Sequence, residues 1–152
     1  MELAWGLLFG VVTALAGHVA GFDRDRSFYP TMMVVVALVY VLFACMAVPP
    51  SPVWHELLAA SLFIAVAILG FRASLWFVVA ALVGHGLFDL VHNHAISNPA
   101  VPLWWPGFCG SIDLVLGAVL SALLRRGRLQ ARRQVPDRVA GGRRDAVVPT
   151  DF

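Results

Sequence analysis

Charge is what this sequence has least of. Only 13% of its 152 residues are Asp, Glu, Lys or Arg, and lysine is absent, so all eleven basic residues are arginine. Soluble globular domains carry about 25% charged residues. A hydrophobic content of 60% and a mean hydropathy of +0.81 exclude an ordinary water-soluble domain and leave no room for a separate one. Cysteine is nearly as scarce. Cys45 and Cys109 are too few for a disulfide framework and lack CxxC spacing. Positive charge is missing from the N-terminal stretch Met1–Glu2–Leu3–Ala4–Trp5 and first appears at Arg24 and Arg26, after the apolar run. A signal peptide has the reverse order, so residues 3–22 read as a retained helix. There is no internal repeat, no HExxH, and no serine or cysteine beside a clear base. A nucleophile is therefore not named, and whether the protein is an enzyme stays open.

What is present is a series of long apolar runs. Crossing about 30 Å of hydrocarbon takes about 20 mostly apolar helical residues. Five segments qualify: 3–22, 31–48, 53–71, 75–93 and 108–124. Pro30 suits the start of the second helix, and Pro49, Pro50 and Pro52 end it. Only four residues, Phe71–Arg72–Ala73–Ser74, separate the third from the fourth. One unbroken helix there would be about 60 Å long, with Arg72 near its centre, where charge is expensive. A tight helical hairpin with Arg72 at its tip resolves both difficulties. The expected fold is all-α, a polytopic membrane protein folded as a compact bundle of five transmembrane helices.

Orientation follows from arginine. With the N-terminus outside and the C-terminus cytoplasmic, Arg24, Arg26, Arg72 and the remaining arginines of 125–152 all face the cytoplasm, as the positive-inside rule requires. A four-helix alternative splits them. The expected location is the bacterial inner membrane. The tail 125–152 reads as a short basic helical extension followed by disorder. Arg125, Arg126 and Arg128 are placed to hold anionic lipid headgroups, although topology alone also explains them. No nucleic-acid partner is expected, and a homo-oligomer is allowed. Cys45 and Cys109 fall at similar depth on the outer side, where one disulfide can persist.

Two helices carry stripes of small residues that let backbones approach closely. In the first helix these are Gly6, Gly10, Thr13 and Gly17. In the fifth they accompany an acid: Gly110, Asp113, Gly117 and Ser121. Packing within one bundle is the simpler reading, ahead of dimerisation.

The residues with chemistry are polar ones in apolar helices. His85, Asp89 and His92 lie at i, i+4 and i+7 of the fourth helix, and so on one narrow face. Asp113 of the fifth helix should lie at the depth of Asp89, and His55 and Glu56 should open the third helix nearby. The fourth helix is expected to pack on the fifth, with both aspartates facing one cavity. His85, Asp89, His92, Asp113 and Glu56 form the candidate metal set, with His55 as a supporting residue. His94 is a second supporting residue and falls past the helix end. Imidazole and carboxylate together suit Zn, Fe, Mn or Cu. The competing readings are a proton or ion relay without metal and a purely structural polar core. Haem would need opposed histidines such as His55 with His92 or His94. Asp23 and Asp25 form a DxD pair whose alternating arginines favour a solvated loop, and His18 suits a bond across helices. Trp104 and Trp105 suit an interfacial belt or a lid on the polar cluster.

At FYPTMMVVVALVYVLFA, GLFDLVHNH and WWPGFCGSIDLVLGA the chain resembles a family of small bacterial membrane proteins of unknown function. The resemblance covers nearly everything but the tail and implies no activity or site. The residues themselves point to a metal-dependent membrane enzyme or a metal-handling protein, with a non-enzymatic transport or accessory subunit as the rival.

Overall fold

A computed structural model of the chain describes residues 1–47, 53–127 and 129. It is all-helical, with α1 Glu2–Val19, α2 Phe28–Met46, α3 Val53–Arg72, α4 Trp76–Ala95 and α5 Trp105–Arg125. A short 3-10 turn at Phe22–Arg24 links α1 to α2. All five helices are long and apolar enough to cross a membrane. Arg128 and most of the expected tail fall outside the described residues, as do Pro49, Pro50 and Pro52.

The helix ends differ from the sequence expectation for local reasons. α1 stops at Val19 because Gly21 takes a left-handed conformation, φ 75°, which an α-helix cannot continue through. α2 begins at Phe28, which puts Pro30 in the first turn rather than at the first position. The first turn has no use for that missing N–H. α5 begins at Trp105 with Pro106 in its first turn. α4 runs on to Ala95, so His94 lies on the helix and not beyond it.

The small-residue stripe of α1 packs inside the bundle. Its buried residues are Gly6, Gly10, Ala14 and Gly17. A Cβ at Gly6 would strike the Phe108 carbonyl of α5, and one at Gly10 would lie 3.0 Å from Val115 Cβ. α1 and α5 therefore run in the same direction, backbone close to backbone. Large side chains of α1 such as Trp5, Leu8, Phe9 and Leu15 are exposed, which suits a lipid-facing helix. α5 lies between α1 and α4, and α2 packs chiefly on α3.

The α3–α4 hairpin is tight. Gly70 has no room for a Cβ against Val78. Arg72 is exposed at the end of α3, and Arg26 donates to the Phe71 carbonyl at 3.2 Å. The loop after α1 therefore sits beside the α3–α4 turn. Helix alternation brings the end of α5, with exposed Arg125 and Arg126, to the same end of the bundle. The α4–α5 loop, with Glu56 near it at the start of α3, marks the other end.

Candidate metal centre

The site begins with two glycines. A Cβ on Gly86 of α4 would lie 2.9 Å from the Gly110 carbonyl of α5, and one on Gly110 would lie 2.9 Å from the Gly86 carbonyl. This reciprocal fit lets the two backbones touch. On each side of the contact the helices present polar groups on their shared face: His85 and Asp89 from α4, Cys109 and Asp113 from α5. All four are buried, with exposures of 2%, 2%, 2% and 0%.

His85 Nδ1 is 2.7 Å from Asp113 Oδ2 and 3.8 Å from Asp89 Oδ2. Asp89 is fixed from a third helix: the Tyr40 hydroxyl of α2 donates to its Oδ1 at 2.7 Å. Phe63 of α3 meets the His85 ring edge to face, with centroids 4.8 Å apart, and closes an apolar wall. One donor atom from each of His85, Asp89, Cys109 and Asp113 lies within 4.8 Å of all the others. Two oxygens in this group, Asp89 Oδ2 and Asp113 Oδ1, are buried with no hydrogen-bond partner. Tetrahedral coordination at about 2.0–2.3 Å places donors about 3.3–3.8 Å apart. To ligate one ion the widest pairs thus need to close by about 1 Å, and the 2.7 Å His85–Asp113 contact needs to open by about 0.6–1.1 Å or turn its other atom to the ion.

A second polar group lies toward the α4–α5 loop. His92 Nε2 faces both oxygens of Glu56, at 3.1 and 3.2 Å. Asn98, from the loop, donates to Glu56 Oε1 at 2.8 Å and to the Tyr40 carbonyl at 3.3 Å. The His92 ring stacks on the Tyr40 ring, with centroids 4.0 Å apart and planes inclined by 28°. Glu56 and His92 are 1% and 0% exposed.

The expected five-residue set therefore divides. His85, Asp89 and Asp113 come together as expected, and α4 does pack on α5. His92 and Glu56 pair with each other instead. The reason is helix rise: seven residues advance about 10.5 Å along the axis, too far for His85 and His92 to share one ion. His55 and His94 are exposed, outside the two buried groups. His92, the other histidine of the haem option, is buried with its Nε2 against Glu56. Cys45 and Cys109 are both free, Cys45 exposed and Cys109 buried against α4, so the expected bridge does not form. Asp25 Oδ1 accepts from the Ser27 amide at 3.1 Å, an ordinary loop contact, and the Asp23 side chain is not among those described. Exposed Trp104 suits the belt, whereas half-buried Trp105 turns inward against Phe43, with centroids 5.1 Å apart.

Three participants were not expected. Cys109, which the sequence offers as a disulfide partner with no clear base beside it, instead lies within 4.8 Å of the His85, Asp89 and Asp113 donors, and its place at i−4 from Asp113 puts it on the same face. Tyr40 and Asn98 carry no spacing signal. No protein-family profile, curated protein or solved structure matches the chain.

Proposed function

We propose that this chain is an integral membrane protein of the bacterial inner membrane that holds one transition-metal ion between α4 and α5, on His85, Asp89, Cys109 and Asp113. What carries this reading is the convergence of four donors within 4.8 Å, two of them carboxylates with an unpartnered oxygen in the interior. An unpaired polar group away from water costs several kcal/mol. A cation at the centre of the four would satisfy both oxygens at once. A divalent ion would also offset the two carboxylates, which one imidazole cannot do alone, and with Cys109 bound as a thiolate the group would keep one negative charge.

The donor set argues for the metal and its use. Imidazole with a thiolate favours Zn or Cu over Mn, while the carboxylates also admit Fe. Four protein donors fill a tetrahedral zinc shell, whereas catalytic zinc keeps a position for water or substrate. Holding or handling the ion therefore fits better than hydrolysis. The orientation that accompanies this reading puts the N-terminus outside and the arginine-bearing end in the cytoplasm, where Arg125 and Arg126 would meet anionic headgroups.

Elemental analysis of the purified protein tests the proposal. About one Zn, Cu or Fe per chain is expected, released by Asp113→Asn while the helical signal persists. A second reading, a metal-free polar relay, is favoured by the close run Tyr40–Asp89 and His85–Asp113 across three helices. Metal-free protein whose proton or ion flux in vesicles is abolished by Asp113→Asn would support that reading instead, whereas a loss of thermal stability alone would mark a structural polar core.

A further inference from the structure

Glu56 and His92 lie just outside the inner group, and the metal reading above leaves them without a task. We propose that they form, with Asn98, a second cation position, the one a divalent transition metal meets first on its way from the α4–α5 loop to the inner group. This rests on the metal reading of the inner group.

The chemistry of the pair is that of a ligand set. Both Glu56 oxygens face His92 Nε2, so an ion that displaces the proton between them would gain one nitrogen and one or two oxygen donors. Asn98 already holds Glu56 Oε1 and supplies a further polar side chain. All three are buried, with exposures of 1%, 0% and 8%.

The surroundings give the pair a direction. Asn98 also lines a cavity of about 400 Å³ in the loop, with Asn93, Ser97 and Pro99 among its other walls. One residue therefore both borders the cavity and, through its side chain, holds Glu56. On the inward side Tyr40 touches both positions: its ring stacks on His92 and its hydroxyl bonds Asp89. Two other cavities compare poorly. One between α2 and α3, about 290 Å³, is walled by apolar side chains with Ser27 and Thr31 and has no imidazole, thiol or carboxylate in its lining. Another, about 370 Å³, lies against Trp5, Trp104 and Phe108, and its one acidic side chain is Glu2. It lies at the start of α5, where Phe108 precedes Cys109 in sequence, and is the competing route.

Cadmium provides the test, because Cd–thiolate absorbance reports the inner group alone. In the Cys45→Ser chain Cys109 is the single thiol. Cd2+ is mixed with purified protein, the absorbance rise is timed, and total bound Cd2+ is measured by dialysis. Glu56→Gln and Asn98→Ala are expected to slow the rise about tenfold while reaching the full final absorbance, which also shows that the inner group is still folded. Glu56→Gln should in addition lower the total Cd2+ bound, and Glu2→Gln should change nothing. An unchanged rate and unchanged total in Glu56→Gln overturn the second position, and a slowed rise in Glu2→Gln assigns the route to the other cavity. If the parent shows no thiolate absorbance but binds Cd2+ that Glu56→Gln abolishes, the inner metal site fails and the route with it, and Glu56 is left as a cation position in its own right.

Discussion

Tyr40 and Cys109 have the most informative single substitutions. Tyr40 Oη holds one oxygen of Asp89 at 2.7 Å, which leaves the other aimed at His85. Removing a hydroxyl that orients a ligand typically costs about 10–100-fold in metal affinity. Tyr40→Phe is expected to weaken Zn binding by about that factor without changing the number of ions bound, as a competition titration against a chelator would show. Cys109→Ser exchanges a soft donor for a hard one. Its expected effect is a large loss of Zn and Cd affinity and a small one for Mn; equal losses for all three would mean that Cys109 only fills space. At this scale the sequence was partly readable. His85, Asp89 and Asp113 declare themselves because ionisable groups in apolar helices are expensive. Cys109 is a common buried residue, and Tyr40 passes as one more aromatic in an apolar span, so neither signals a role by its type.

At the scale of helices the site depends on the Gly86–Gly110 contact. Gly110→Ala would put a methyl 2.9 Å from the Gly86 carbonyl, so the helices must part. A loss of about 1–3 kcal/mol is expected from such overpacking, together with weaker metal binding, since the donors sit on both sides of the contact. Gly84→Ala is the matched control. Its Cβ would meet Phe63 at an ordinary 3.8 Å, and helix propensity favours alanine by up to about 1 kcal/mol. Thermal unfolding in detergent should separate the two. If Gly110→Ala is as stable as Gly84→Ala, the close approach is not what holds α4 to α5. The helices themselves were legible because membrane thickness fixes the length of an apolar run, and Arg72 broke the longest run in two. Their ends were less so. α1 stops for the backbone conformation of Gly21, and α5 absorbs Trp105 and Pro106 from a loop whose proline content reads as irregular. The split of the polar cluster was also hidden: face and depth follow from spacing along one helix, but which groups meet depends on how neighbouring helices are staggered, and spacing does not carry that.

For the whole molecule, five spans demand termini on opposite sides. A reporter fused before Met1 is expected outside the cytoplasm and one fused after Phe152 inside; both on one side would reject the five-span reading. Two parts of the bundle meet at the polar groups. Tyr40 and Glu56 belong to α2 and α3, whereas His85, Asp89, His92, Cys109 and Asp113 belong to α4 and α5. That division has a consequence in time, because a ribosome makes α3 before α4. If α3 enters a bilayer as it leaves the ribosome, His92 and Asn98, only 20 and 26 residues beyond its end, are still enclosed in the ribosome, and the Glu56 carboxylate lacks both partners. Its position in the first turn of α3 lets it wait in the hydrated headgroup layer. A released chain truncated after Arg72 should therefore keep Glu56 within reach of water, and the same carboxylate should withdraw from it only when α4 and the α4–α5 loop are present and docked.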